Sequence, residues 1–309
     1  MILGTVYRST GSWYKVVTEN EIINCRIQGR LRLNNIKSTN PVVVGDKVLI
    51  QKDQLSNKNE GVIIEIKERK NYIIRKSVNL SKQSHIIGAN VDQAFLLITL
   101  KNPITTTSFI DRFLITAEAY KVKCILVFNK IDCYDKSLIT KMNEMISLYN
   151  KIGYSCIKIS ASKKININKI KDLIIDKICM FSGHSGVGKS TLINCLSKNL
   201  KIPTTPISEY HQQGQHTTTF AEMYDIDNGA KLIDTPGIKG FGLVNMNKDE
   251  ISNYFKEFNK FSSKCKFNNC LHLNEPSCAI KKAVNDNEIS SSRYSNYIRL
   301  LEDHKIYRD

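Results

Sequence analysis

No apolar run in this 309-residue sequence approaches the ~20 residues a membrane-spanning helix requires, which argues against an integral helical membrane protein. The opening residues, Met1-Ile2-Leu3-Gly4-Thr5, lack the charged stretch and apolar core of a secretory leader. A soluble, cytoplasmic chain with no membrane partner is therefore expected. Acidic residues are scarce: 29 Asp and Glu stand against 45 Lys and Arg, a formal charge of +16 that favours a polyanionic partner. Much of the lysine accompanies a general richness in Asn and Ile, the pattern of drift toward A/T-rich codons, so the arginines are more telling. Arg8, Arg26, Arg30, Arg32, Arg69 and Arg75 all fall near the N-terminus. The nine cysteines divide unequally: Cys25, Cys124, Cys133, Cys156, Cys179 and Cys195 are scattered, several within apolar strand-like runs, and read as buried thiols, whereas Cys265, Cys270 and Cys278 are clustered.

The strongest local signal is Gly183-His184-Ser185-Gly186-Val187-Gly188-Lys189-Ser190-Thr191. It follows a short apolar run, 178–181, and leads into helical spacing at 192–196. Strand, glycine-rich loop and helix is the context that the G-x-x-x-x-G-K-[ST] pattern needs. Glycines let successive N–H groups turn toward phosphate oxygens, and the helix adds its positive end. Lys189 is then placed to reach the β- and γ-phosphates, and the Ser190 hydroxyl to reach Mg²⁺.

Upstream, residues 1–68 read as a small barrel of the OB type, with short β-branched segments at 2–7, 13–18, 21–26, 47–51 and 61–66 and a Gly45-Asp46 turn. The competing reading is another small barrel used only for protein contact. Residues 69–84 read as a polar, basic connection. From 85 to 243 strands and helices alternate, which implies a parallel sheet covered on both faces, with ligands outside the carboxyl ends of its strands. Strands are expected at 91–100, 123–128, 155–159, 219–226 and 231–233, besides the one before the glycine-rich loop. Helices are expected at 108–120, 136–149 and 167–176.

Further motifs sit at those strand ends. Asn129-Lys130-Ile131-Asp132 follows one strand: Asp132 can accept two hydrogen bonds from guanine, Asn129 can meet the base edge, and the Lys130 stem can cover the base face. Ser160-Ala161 follows the next and offers backbone to the guanine oxygen. Asp234-Thr235-Pro236-Gly237 supplies a carboxylate for metal-bound water and an N–H for the γ-phosphate. Between these, Gly214-Gln215-His216-Thr217-Thr218-Thr219 offers Thr218 or Thr219 to Mg²⁺. A Ras-like GTPase presents the phosphate loop first; here NKID and the Ser-Ala turn precede it, a circular permutation.

Residues 244–309 read as a helical C-terminal domain, with helices at 253–261 and 290–303. Its Cys265, Cys270, His272 and Cys278 form a closed set of four zinc ligands with no position left for water, hence a structural site.

Permuted GTPase motifs, a barrel before them and C-x4-C-x-H-x5-C after them together resemble the bacterial ribosome small-subunit-dependent GTPase A (RsgA) family over essentially the whole chain. The resemblance implies an OB barrel, a GTPase core and a zinc domain. It also implies GTP hydrolysis stimulated by the small ribosomal subunit, late action in that subunit's maturation, contact with its rRNA, and dealings with other assembly factors. The chain is expected to act as a monomer, with Mg²⁺ accompanying GTP and one structural Zn²⁺. Ile238 stands where Ras-like enzymes carry a water-orienting glutamine, so intrinsic turnover should be slow. His216 is the candidate for that role, against its being a surface histidine that tunes the loop. The rival function is a GTP-switched RNA- or protein-binding module in which hydrolysis is incidental.

Overall fold

Alternation of apolar and polar residues builds the N-terminal unit: in Ile22–Ile27, Ile23 and Cys25 turn inward while Ile22, Asn24 and Arg26 face out. The structure, a computed structural model, describes residues 1–29, 41–52, 59–76, 84–197, 200, 202, 221–235 and 246–306. Strands β1 (Ile2–Ser9), β2 (Tyr14–Val17), β3 (Ile22–Ile27), β4 (Lys47–Lys52) and β5 (Glu60–Ile66) follow one another in the order β1-β2-β3-β5-β4. β4 pairs back onto β1 and closes the barrel. Val6, Tyr14, Val16, Ile23, Val48, Ile50 and Ile63 fill it. The turn before β4 is held by Asp46, which takes a two-pronged ion pair from Arg69 and a hydrogen bond from the Val43 N–H.

Within the stretch 69–84, expected as a polar connection, β6 (Tyr72–Lys76) pairs antiparallel with β7 (Ser84–Ala89). The sequence signal was short, since only Tyr72-Ile73-Ile74 is apolar before Arg75 and Lys76, but Ile73 and Ile74 are buried.

The core then alternates: β8 (Gln93–Ile98), α1 (Thr107–Ala119), β9 (Lys123–Phe128), α2 (Lys136–Ile152), β10 (Ser155–Lys158), α3 (Ile167–Ile174), β11 (Ile178–Ser182), α4 (Lys189–Leu196), β12 (Glu222–Asp225) and β13 (Lys231–Asp234). Spatial order is β10-β9-β8-β11-β13-β12, parallel except for β12. Thr106 caps α1 and Asp135 caps α2 through their side chains, each accepting from an N–H three residues on; Gly153, at φ 106°, ends α2. Helices α1 and α2 cover one face through residues such as Phe113, Leu114, Met142 and Tyr149. Helices α3 and α4 cover the other through Ile170, Ile174, Leu192 and Ile193. Beyond β12 the sheet continues into the barrel, because β1 pairs with β12 at Arg8 and Glu222.

The C-terminal segment contains α5 (Lys248–Ile251), α6 (Ala279–Asn285) and α7 (Ser291–Ile306). The helix expected over 253–261 is instead a series of single 3₁₀ turns at Ser252–Tyr254, Phe258–Lys260 and Ser262–Lys264. Extended backbone at Phe255 breaks the run, and Phe255 and Phe258 both pack inward around Tyr297. Among the described residues two cations join this segment to the core: Lys256 pairs with Glu118 of α1 at 2.7 Å, and a second, Arg293, lies deeper. Arg293 of α7 is fully buried and bonds Glu257 through Nε at 2.6 Å and Nη2 at 3.0 Å. Its Nη1 pairs with Asp111 of α1 at 2.6 Å. Asp111 also accepts from Tyr149 of α2 and Asn296 of α7. Removing one partner of such a group strands the others in low dielectric. Arg293→Met should therefore lower unfolding free energy by about 3–5 kcal/mol, read from urea denaturation.

Candidate nucleotide site and metal cluster

The phosphate loop leaves β11 at the centre of the sheet and closes on itself. Gly183 (φ 149°) leaves no room for a Cβ, which would lie 2.8 Å from the Leu97 carbonyl oxygen. Gly188 (φ 95°) is equally constrained, since a Cβ there would lie 2.5 Å from Asn129 Nδ2. Lys189 follows as the first residue of α4 and is buried. Its Nζ donates to the carbonyls of Gly183 at 3.0 Å and His184 at 3.1 Å. Burial pulls Lys189 down to about 8, against the restoring charge of Asp234. The His184 ring lies against Phe109 of α1, centroids 4.0 Å apart, and burial and the Lys189 charge lower its basicity.

The other strand-end motifs converge on this loop. Asn129, expected at the base edge, has both ends of its amide engaged by protein: Nδ2 donates to the Val187 carbonyl at 2.8 Å and Oδ1 accepts from the Ala161 N–H at 3.0 Å. One side chain thus ties the NKID strand end to both the phosphate loop and the Ser-Ala turn. Lys130, at φ 63°, lays its side chain along the loop and donates to the carbonyls of Gly186 and Asn102 at 2.7 and 2.6 Å. Asp132 stands exposed beside Ser160, whose hydroxyl holds the carboxyl below its usual range. Ser160 also accepts from the Lys163 N–H. Asp234 ends β13 opposite Phe181 and is buried; Thr235 donates to the Phe181 carbonyl at 2.9 Å. Ser190 and Thr191 lie in the first turn of α4. His216, Thr218, Thr219, Gly237 and Ile238 lie outside the described residues.

Two supports had no motif to announce them. Tyr134 donates to the Asn129 carbonyl at 2.7 Å and accepts from the Leu100 N–H at 2.9 Å, fixing the turn that carries Asp132. Phe109 is the other, and its only trace in the sequence is an apolar position on α1.

In the C-terminal segment, Cys265, Cys270, His272 and Cys278 place one ligand atom each within 4.8 Å of one another. His272 Nδ1 lies 3.6 Å from Cys265 Sγ and 3.5 Å from Cys278 Sγ. Burial and the Cys278 thiol push Cys270 up to about 12, a proton that a divalent cation would displace. Three sulfurs and one imidazole nitrogen so gathered fit a four-coordinate metal ion. The loop between them is pinned by Glu275, which accepts from the N–H groups of Leu271 and Leu273 at 2.8 Å each, and by Tyr294 and Tyr297, which donate to the carbonyls of His272 and Leu271.

This fold and these motifs define a circularly permuted P-loop GTPase. The family model described as RsgA GTPase matches residues 66–244, and that described as RsgA N-terminal domain matches residues 3–63. The chain belongs to the RsgA GTPase family. Its relatives include the small ribosomal subunit biogenesis GTPase RsgA of Flavobacterium johnsoniae, 55% identical over 99% of this chain and 94% of that protein. The protein of the same description from Bacteroides fragilis is 50% identical over 97% of this chain and 96% of its own. Among solved structures, YjeQ from Thermotoga maritima is 34% identical with a TM-score of 0.76, covering 98% of each chain. YloQ, described as a circularly permuted GTPase, is 31% identical with a TM-score of 0.73, covering 100% of this chain and 96% of its own.

The buried lysine sets a pH test. With its charged form disfavoured by burial, Lys189 loses its proton above about pH 8, and the protonated form is the one that would complement a polyanionic nucleotide. GTP affinity should fall as pH rises through that value. Calorimetry at about pH 9 in two buffers of different ionisation enthalpy should show about one proton taken up per nucleotide bound.

Proposed function

We propose that this protein is a GTPase of small ribosomal subunit biogenesis that hydrolyses GTP to GDP and phosphate when the subunit engages it. The observation that carries this reading is the end-to-end likeness to proteins so described, together with the convergence of four strand ends on one phosphate loop. In this reading residues 1–68 form the barrel, 69–84 a connection that carries β6, 85–243 the GTPase core and 244–309 the metal-binding domain, with the β6–β7 pair bridging connection and core.

The chemistry is attack of water on the γ-phosphate, and the chain's contribution is positioning and charge. Residues Gly183 to Thr191 wrap the phosphates, and Lys189 neutralises charge on the transferring group. Asp132 selects guanine, with Lys130 against the base and Ala161 at its oxygen. Ser190 and Thr218 or Thr219 would hold Mg²⁺, with Asp234 toward its bound water, and the ion when bound neutralises charge on the phosphate oxygens. Gly237 would meet the γ-phosphate, and His216 is the candidate that orients water in place of the missing glutamine. Slow intrinsic turnover follows, with acceleration on the subunit.

The barrel is read as the rRNA contact. Arg26 leaves β3 on its outer side with its guanidinium 4.2 Å from the centroid of the Trp13 ring, a cation beside an aromatic face of the kind RNA stacks on. The charge of +16 supports the same partner. The metal is read as zinc, because a closed Cys₃His set suits it and leaves no place for substrate. Other assembly factors belong to the reading as partners, and the chain is read as a cytoplasmic monomer. No helix among the described residues is long and apolar enough to cross a membrane.

Purified small subunits should raise GTP turnover by at least about tenfold, and raising salt should weaken the effect as phosphate contacts are lost. A turnover indifferent to subunits would support the rival binding module and overturn this reading. Metal analysis of protein purified without added zinc should give about one equivalent. Cys270→Ser should lose it while GTP affinity stays near wild type; a metal-free wild-type protein with an ordered C-terminal segment would refute the assignment.

A further inference from the structure

Tyr7 lies where β1 changes partners. Residues 2–5 of β1 pair with β4, Arg8 pairs with Glu222 of β12, and the pairing with β2 slips between Val6 and Arg8. An irregularity of this kind bends a strand and re-aims a side chain. Here the Tyr7 ring enters the apolar core it shares with Met223 and Ile233 and is 4% exposed. Its hydroxyl donates to Asp225 Oδ1 at 2.6 Å and accepts from Lys231 Nζ at 2.6 Å, and Lys231 donates to the same carboxylate at 2.8 Å.

Asp225 and Lys231 face each other at the turn end of the β12–β13 hairpin, and Glu222 faces Asp234 at the other end. One barrel tyrosine therefore clasps both hairpin strands at one end, while Arg8 pairs with the hairpin at the other. The register continues straight across the sheet: Arg8, Glu222, Asp234, Phe181 and Phe95 occupy successive strands. Main-chain hydrogen bonds and one side-chain clasp thus connect the barrel to the strand that ends in Asp234.

We infer that Tyr7 is a positioning residue: through Asp225 and Lys231 it fixes the hairpin that ends in Asp234 to the barrel, so that a polyanion docked on the barrel acts on the nucleotide site. This rests on the stimulation by small subunits proposed above. Tyr7→Phe removes the hydroxyl and keeps the ring; Lys231→Met removes the cation and leaves Tyr7 on Asp225. For each, intrinsic kcat, subunit-stimulated kcat and the half-saturating subunit concentration are measured beside the wild type. The stimulated kcat should fall about fivefold, the rate equivalent of one hydrogen bond. Intrinsic kcat and half-saturation should stay within about twofold of wild type, since neither residue belongs to the nucleotide or rRNA contacts proposed above. An unchanged stimulated kcat in both variants overturns the inference. So does an equal fall in intrinsic and stimulated rates, which would make the clasp a matter of fold alone. A wild type that subunits do not accelerate sinks the functional reading itself, and this inference with it, and is recognised because it shows in the wild-type arm.

Discussion

Parallel strand direction is the constraint on which the rest depends. β8, β9, β10, β11 and β13 run the same way, so the segments leaving them emerge along one edge of the sheet. Four of those exits carry NKID, the Ser-Ala turn, the phosphate loop and Asp234. Hydrogen bonding then locks them to one another, chiefly through Asn129, whose single amide spans two of the other segments. Chain order has little say in this geometry. The strand of the phosphate loop lies between β8 and β13 whether the chain reaches it first or fourth, and the permutation leaves the site intact.

What permutation changes is the neighbourhood. The chain now enters the core from the barrel and leaves it from β13 toward the metal cluster, so each end of the GTPase unit is bound to an appendage. The attachments differ in kind. The barrel joins by backbone pairing at Arg8 and by the Tyr7 clasp. The C-terminal segment joins by apolar packing around Ile115 and by Arg293, a fully desolvated cation shared between Asp111 and Glu257. Such a cation is specific about its partners and costs much if misplaced. Helix α1 bears both this attachment and, through Phe109, the ring that supports His184 of the phosphate loop.

The legible parts of the site were those whose chemistry demands contiguous residues. A backbone cradle for phosphate must be local, so Gly183 to Thr191 announces itself, as do NKID and the Cys₃His spacing. The sheet was legible for a related reason: buried runs such as Leu96-Leu97-Ile98 and Ile125-Leu126-Val127 have no other plausible use. Contacts made across the fold left little trace. Tyr7 and Asp225 are 218 positions apart, and nothing near either marks the other. The second role of Asn129 was hidden because the motif had already accounted for it. The 3₁₀ turns around Phe258 were misread as one helix because their apolar spacing, at 255 and 258, also fits a helical turn. Strand β6 was missed because its apolar part is only three residues long.

β12 is the last strand of the nucleotide-binding sheet, and the side of it that faces away from β13 would present unpaired amide and carbonyl groups to any passing strand. β1 covers that side at Arg8 and Glu222, and β1 itself belongs to a barrel whose described strands close on one another. The barrel thus acts as an end-stop for the core, a terminating cap that keeps one chain's sheet from growing into another's. A GTPase core separated from its barrel would keep its phosphate loop but regain a sticky margin, and self-association is the failure expected of it.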